Sequence, residues 1–187
     1  MAETRKAARR RNEENWFARF APDTMPGIDI GVGDDPLCAS FRRWDTSLGD
    51  GDATFMAGVP DQSYFTVYAS HVLEHLADPV TALRNWYRVL MRGGHLIVCV
   101  PHRDLYEKRI ELPSLWNAEH TTYWLPELGA ARAHEPPHTR GLADTLATAL
   151  PDADLVTLRV LDEGFFDPGP EQHSHGEYSI EAVVQKA

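Results

Sequence analysis

The alternation of apolar and polar residues in the middle of the chain predicts strands that flank a helix. Residues 64–69 are rich in aromatic and β-branched side chains and predict a buried strand. Asp78 and Pro79 are typical of a helix start, and apolar residues then recur at helical spacing over 80–90. Residues 95–100 are almost continuously apolar, as expected of a strand covered on both faces. Strand, helix and strand in this order predict a βαβ unit and a parallel sheet.

The patterns towards the two ends predict further elements around this unit. Residues 3–20 predict one amphipathic helix whose apolar side docks on the domain. Residues 27–31 predict a short strand that runs into a glycine turn, and Gly93-Gly94 should end the central helix. The remaining predictions are strands at 41–44, 53–56, 155–161 and 178–185 and a helix at 141–149. A long polar loop between the last two strands is typical of an antiparallel hairpin.

Length and composition fit a single globular domain. The 187 residues predict one domain over 1–187, with an N-terminal helical extension at 1–26 and a substrate-side insertion at 101–140. Cys38 and Cys99 cannot form a disulfide framework and suit a reducing compartment. We expect no signal peptide, and no apolar stretch approaches the roughly 20 residues that span a bilayer. A cytoplasmic location without membrane contact is therefore the expectation.

The acidic charge balance argues against a nucleic-acid partner. The chain carries 28 acidic and 18 basic residues, for a net charge of −10. Such a chain attracts a phosphate backbone only through a local basic patch, and the one basic run, residues 5–11, is followed at once by Glu13 and Glu14. A solvated helix face is the favoured interpretation of this run, and a nucleic-acid arm the alternative. The expected partner is a small-molecule substrate.

The glycine turn at residues 27–33 is the first candidate binding motif. A strand ending in G-x-G lets a ligand approach the main chain closely. A dinucleotide site would add a third glycine and a helix N-terminus for pyrophosphate, but Asp34 and Asp35 follow here. Two carboxylates repel pyrophosphate and are compatible with a sulfonium or an amino group. The motif disfavours NAD and favours a cationic ligand.

Acidic residues after the second predicted strand suit a nucleoside. Asp45 could accept hydrogen bonds from ribose hydroxyls, as an acidic residue at this place does in Rossmann-like units. Asp52 could accept one from an adenine amino group, while the amides that begin at Ala53 pair with the ring. The alternative is that Asp45, Asp50 and Asp52 only form turns.

Ser70 and His71 follow the predicted strand at 64–69, where the carboxyl ends of parallel strands hold ligands. A histidine there can act as a base or donate a hydrogen bond to a substrate. The alternative is a structural histidine that bonds its neighbours.

Aromatic and polar residues in the segment 101–140 suit the walls of a small-molecule pocket. The candidates for substrate binding are Asp104, Tyr106 and Asn117. The candidates for a catalytic base are His71, His102 and His120. A structural lid held by its own polar contacts is the alternative.

We expect no metal site. His71, Glu74 and His75 form H-x-x-E-H, an inverted zinc-peptidase motif, but that chemistry needs a sustained helix and a third ligand. Pro79 begins a new helix only four residues later. A second metal candidate combines His173 and His175 with His102 or His120, and isolated surface histidines are favoured over it.

Four segments in order carry a family resemblance: GIDIGVGDDPL, GDATFM, DQSYFTVYASHVLEHLADPVTALRNWYRVL and GGHLIVCVP. Over residues 27–125 the chain resembles class I S-adenosylmethionine-dependent methyltransferases, above all short type 11 members with an S-H-x-L-E-H segment. The resemblance implies an α/β fold, a Rossmann-like three-layer sandwich whose mostly parallel seven-stranded sheet ends in an antiparallel hairpin. It implies S-adenosylmethionine as cofactor, with the methionine half beside Asp29, Gly31 and Gly33, ribose near Asp45, adenine near Asp52 and Ala53, and Ser70 and His71 facing the cofactor.

The chain departs from the family pattern at several places. Asp35 replaces a third glycine, Phe65 replaces an aspartate, and Met91-Arg92 replaces a Lys-Pro pair. The short interval from Gly33 to Asp45 predicts a first crossover helix reduced to a turn.

The predicted function is an enzyme that transfers a methyl group from S-adenosylmethionine to an O or N of a small polar metabolite, in a biosynthetic pathway. The alternative is a catalytically weak or inactive methyltransferase-like domain that serves as a partner subunit. The oligomeric state is open, with a homodimer as one option.

Overall fold

The computed structural model describes residues 3–187. In chain order its helices are α1 (Glu3–Lys6), α2 (Ala8–Glu13), α3 (Trp16–Phe20), α4 (Pro79–Arg88) and α5 (Leu142–Ala149). Its strands are β1 (Gly27–Ile30), β2 (Arg42–Trp44), β3 (Tyr64–Ser70), β4 (Leu90–Pro101), β5 (Tyr123–Leu125), β6 (Thr139–Gly141), β7 (Asp154–Leu161) and β8 (Ser179–Gln185).

The main sheet has six strands in the order β2-β1-β3-β4-β8-β7. The first four are parallel, and β8 runs antiparallel to both β4 and β7. The α/β class, the parallel βαβ unit and the C-terminal antiparallel hairpin are therefore confirmed. The expected count of seven strands is wrong for the part of the chain that the structure describes.

The missing strand is the one predicted at 53–56, which forms tight turns instead. Its carbonyl groups accept hydrogen bonds from side chains of α4. Trp86 Nε1 donates to Ala53 O at 2.9 Å, and Asn85 Nδ2 donates to Thr54 O at 3.0 Å. Because α4 already satisfies these backbone groups, the segment needs no neighbouring strand.

The predicted N-terminal helix is broken into α1, α2 and α3. The last break falls at Asn15, whose φ of 54° is left-handed and cannot continue an α-helix. The aromatic residues of α3 nevertheless dock on one face of the sheet, as expected, against Tyr68 of β3 and Ile97 of β4.

The opposite face of the sheet carries α4 and α5. Leu83, Trp86 and Leu146 lie in a large apolar cluster together with residues of β1, β3, β4 and β8. Asp78 caps α4 by accepting a hydrogen bond from Thr81 N at 3.0 Å, with Pro79 in the first turn. Residues 31–41 contain only turns, so the first crossover lacks a helix, as predicted.

Gly93 and Gly94 do not end α4. The helix ends at Arg88, and the glycines lie inside β4. A Cβ on Gly94 would lie 2.4 Å from Phe65 O of the neighbouring strand, so glycine permits this close approach. Within residues 3–187 no helix is long and apolar enough to cross a membrane.

Candidate active site

Two adjoining cavities open at the carboxyl ends of β1, β2 and β3. The smaller, about 220 Å³, is lined by Thr4, Asp29, Gly31, Val32, Gly33, Asp34, Asp35, Ser70 and His71. The larger, about 390 Å³, is lined by Gly31, Trp44, Asp45, Thr46, Gly51, Asp52, Ala53, Val72, His75 and Leu76. Gly31 borders both cavities. Every residue that the sequence assigned to the cofactor therefore lines one cavity or the other.

The turn after β1 depends on glycine at two positions for different reasons. Gly31 has a φ of +67°, and a Cβ there would lie 2.2 Å from Cγ2 of Val72. Gly33 has a φ of +49° with open space around it. Its N–H donates to Oδ2 of Asp45 at 3.2 Å, which ties the turn to the end of β2.

Asp29 is a buried carboxyl group at the floor of the smaller cavity, with 2% of its surface exposed. Burial raises its pKa to about 7, although its Oδ2 accepts a hydrogen bond from Leu37 N at 2.7 Å. The side chain is thus poised between its neutral and charged forms near neutral pH.

Asp45 and Asp52 both line the larger cavity and form turns. Asp45 accepts from Ser47 N at 2.8 Å, and its hydrogen bonds with Ser47 lower its pKa. Asp52 accepts from Thr54 N at 2.7 Å. Both aspartates therefore form turns, as the alternative interpretation predicted. Their binding of a nucleoside stays a prediction.

Ser70 and His71 lie at the end of β3. The hydroxyl of Ser70 is 3.0 Å from Nδ1 of His71, and the hydroxyl of Ser179 is 3.2 Å from its Nε2. Burial, and then the charges of His120 and Lys6, lower the pKa of His71 to about 3. Such an imidazole is a weak base, so this environment favours a hydrogen-bonding role over the predicted role of base.

The N-terminal extension reaches the smaller cavity. Thr4 lines it, and the backbone N–H of Arg5 donates to Oδ2 of Asp35 at 2.9 Å. The guanidinium of Arg5 lies 3.3 Å from the other carboxylate oxygen. Asp35, which departs from the family pattern, therefore holds α1 beside the smaller cavity.

Three of the residues predicted for catalysis or substrate binding make local structural contacts. His102 Nδ1 accepts from Asp104 N at 3.1 Å and caps a single π-helical turn. Asp104 is exposed and accepts from Arg103 Nε at 2.7 Å. Asn117 accepts from Glu119 N at 3.1 Å within a turn. The polar contacts predicted for a structural lid are present here.

Tyr106 and His120 belong to a cluster of aromatic rings that includes Tyr178. Tyr106 lies 4.9 Å from the ring of Tyr178 and 5.7 Å from that of His120. Nδ1 of the buried His120 lies 2.5 Å from Oε1 of the buried Glu107. Neither Tyr106 nor His120 lines the two cavities in this arrangement.

Glu74, His75 and His120 come together, with one ligand atom of each within 4.8 Å of the others. Two of them belong to the H-x-x-E-H motif, but His71 points to Ser179 instead. The third member comes from the segment 101–140, and no pattern in the sequence indicated that pairing. Among the described residues, His173 and His175 join no such group.

Comparisons with known proteins agree with this fold. A family model described as a methyltransferase domain matches residues 15–98. The ubiquinone/menaquinone biosynthesis C-methyltransferase UbiE of Escherichia coli O1:K1 is 30% identical over 106 residues, which cover 57% of this chain and 40% of that protein. The chain therefore spans less than half the length of this relative.

Solved structures resemble the whole chain. One belongs to the complex between the Haloferax volcanii Trm112 methyltransferase activator and a methyltransferase, with a TM-score of 0.56, 12% identity and coverage of 98% of this chain and 92% of that one. Another is an S-adenosylmethionine-dependent methyltransferase from Aquifex aeolicus, with a TM-score of 0.54, 11% identity and coverage of 94% and 89%. The chain thus matches a methyltransferase domain over residues 15–98 and has the class I fold of S-adenosylmethionine-dependent methyltransferases, as the sequence resemblance indicated.

Proposed function

We propose that the protein transfers a methyl group from S-adenosylmethionine to an oxygen or nitrogen of a small polar metabolite. The observation that carries this proposal is the pair of adjoining cavities that share Gly31 at the carboxyl ends of three parallel strands. The two cavities have different lining residues, and each lining suits one half of the cofactor.

The larger cavity suits the adenosine half. Asp45 and Asp52 offer carboxylate acceptors for ribose hydroxyls and an adenine amino group, and Val72 and Leu76 add apolar surface. The smaller cavity suits the methionine half, because Asp29, Asp34 and Asp35 attract the ammonium and sulfonium charges.

His71 borders the smaller cavity with Ser70 and Ser179 as hydrogen-bond partners. In the proposed reaction this neutral imidazole positions the acceptor or the cofactor by hydrogen bonding. Methyl transfer is an in-line displacement, so positioning supplies much of the acceleration.

Calorimetric titration with S-adenosylhomocysteine tests the cofactor part. We expect saturable binding to the wild type, weaker binding to Asp45→Ala and unchanged binding to Asp152→Ala, which removes an exposed carboxylate away from both cavities. The absence of binding at millimolar concentration would refute the proposal. A screen of small hydroxyl and amine compounds for S-adenosylhomocysteine release then tests the acceptor class.

A second candidate is a methyltransferase-like domain that serves as a partner subunit. This candidate is supported by the structural neighbour that is found in a complex with the Trm112 activator. The same titration separates the two candidates, because a subunit that has lost cofactor binding gives no heat with S-adenosylhomocysteine.

A further inference from the structure

Glu74, His75 and His120 form a two-histidine, one-carboxylate cluster beside the cofactor cavities. Nε2 of His75 and Nε2 of His120 each lie 3.9 Å from Oε1 of Glu74. These distances exceed a hydrogen bond. Metal–ligand bonds of about 2.1 Å at a tetrahedral angle place ligand atoms about 3.4 Å apart. The three ligand atoms, which all lie within 4.8 Å of one another, would therefore move closer together when they bind one cation.

A second contact orients the imidazole of His120 for this arrangement. Nδ1 of His120 is held by Oε1 of Glu107 at 2.5 Å, which turns Nε2 towards Glu74. A carboxylate on the far nitrogen of a ligating histidine is typical of metal sites.

The backbone also joins the two parts of the cluster. The carbonyl oxygen of Glu74 accepts from Thr121 N at 2.8 Å and from Thr122 N at 3.2 Å. Oγ1 of Thr121 donates to the same oxygen at 3.0 Å. These bonds fix the segment that carries His120 onto the turn that carries Glu74 and His75.

We propose that Glu74, His75 and His120 bind one divalent transition-metal ion. Imidazole and carboxylate ligands suit Zn²⁺ and its neighbours. Three protein ligands leave at least one coordination position open, as in catalytic rather than structural sites. Because His75 lines the larger cavity, the open position can take water or an oxygen of a bound substrate. That last part rests on the proposed function, and metal binding itself does not.

The test uses Co²⁺, whose visible absorption reports the coordination of the ion. The 187-residue protein is stripped with a chelator and titrated with Co²⁺. We expect one ion per chain, a spectrum typical of four or five ligands, and a rise in the melting temperature because the ion binds the folded state. Absence of saturable binding would overturn the proposal.

Variants show whether the cluster holds the ion. His75→Ala is the first choice, because this side chain is 28% exposed and its removal disturbs the core least. It should abolish the Co²⁺ spectrum, whereas His134→Ala, which removes an exposed histidine elsewhere, should leave it unchanged. Equal Co²⁺ affinity in wild type and His75→Ala would exclude the assigned ligands.

Glu107→Gln tests the orienting contact. It should weaken Co²⁺ binding by about 10- to 100-fold without abolishing it. Unchanged affinity would show that Glu107 does not support a metal ligand. S-adenosylhomocysteine titration of the same samples, with and without Co²⁺, separates a failure of this site from a failure of the proposed function.

Discussion

Gly31 and Gly33 lie two residues apart in the same turn. A substitution at Gly31 tests both folding and binding, whereas a substitution at Gly33 tests mainly binding. A Cβ on Gly31 would collide with Val72, so a substitution there disturbs folding as well as binding. Gly33 has open space on the side of the cavity. A methyl group at Gly33 would intrude on the ligand and leave the core alone.

Gly33→Ala should therefore weaken S-adenosylhomocysteine binding by about tenfold or more, which is about 1.4 kcal/mol. Its left-handed φ adds a cost of about 1 kcal/mol in unfolding free energy. Gly129→Ala is the matched control, because Gly129 has the same φ of +49°, is exposed and lines neither cavity. Calorimetry and urea unfolding of both variants give the comparison, and equal affinities would place the ligand elsewhere.

Asp29 makes stability depend on pH. Its pKa is about 7 in the folded protein, against an ordinary value of 3.8. Between these values the folded protein holds a proton that the unfolded chain has lost, so the contribution of Asp29 to stability falls as pH rises through this window. The full difference amounts to about 4 kcal/mol at most.

The Asp29→Asn variant isolates this contribution. Relative to the wild type, the variant should gain unfolding free energy steadily from about pH 4 to about pH 7 and remain level above that. Urea unfolding of both proteins across the range measures the difference. A constant offset between the two curves would mean that Asp29 titrates alike in the folded and unfolded states.

At the scale of elements, α4 shapes the larger cavity from a distance. Trp86 is fully buried and donates its indole N–H to Ala53 O, which belongs to a residue of the larger cavity. Asn85 and Arg88 donate to carbonyl groups of the same segment. The helix therefore holds residues 53–59 as turns.

Trp86→Phe should loosen this segment and weaken S-adenosylhomocysteine binding, in addition to a loss of about 1–3 kcal/mol in stability. Trp124→Phe is the matched control, because Nε1 of the fully buried Trp124 has no hydrogen-bond partner among residues 3–187. Hydrogen exchange should quicken over 53–59 in Trp86→Phe alone. Equal exchange in the two variants would contradict the role of the indole N–H.

Periodicity predicted the elements whose hydrogen bonds are local or whose apolar runs are long. The strand at 64–69, the helix with its cap at Asp78 and the hairpin of β7 and β8 follow from such patterns. The predictions that were wrong, for residues 53–56 and for Gly93-Gly94, depend on contacts between residues far apart in sequence. Side chains of α4, and not a neighbouring strand, donate hydrogen bonds to the carbonyl groups of residues 53–56. Gly94 lies within β4, close to the backbone of Phe65, and does not end a helix. Likewise, the strand-end residues that the sequence assigned to a cofactor line two adjoining cavities, whereas Glu74 meets His120 only through a loop pairing that no local pattern reveals.

At the scale of the whole molecule, the N-terminal extension is bonded into the sheet that carries the site. The buried Arg11 donates to Oε2 of the buried Glu181 on β8 at 3.0 Å and to the hydroxyl of Tyr68 on β3 at 3.2 Å. Burial alone would raise the pKa of Glu181, but the charges of Arg11 and Arg159 hold it below its ordinary value. Removal of one partner from such a pair costs about 3–5 kcal/mol. The extension is thus firmly held at α2, whereas Arg5 of α1 is held to Asp35 by exposed contacts.

We predict that α1 covers the smaller cavity and that Asp35 holds it there. Asp35→Ala removes the bonds to the backbone and side chain of Arg5, whose side chain is 68% exposed, so stability should change by less than about 1 kcal/mol. Hydrogen exchange should quicken over 4–7, and S-adenosylhomocysteine should dissociate several-fold faster. Asp34→Ala removes a neighbouring carboxylate of the same cavity and controls for the lost charge. Equal dissociation rates in the two variants would mean that the charge matters and the cover does not. Faster release in Asp35→Ala alone would make the residue that departs from the family pattern the one that retains the cofactor.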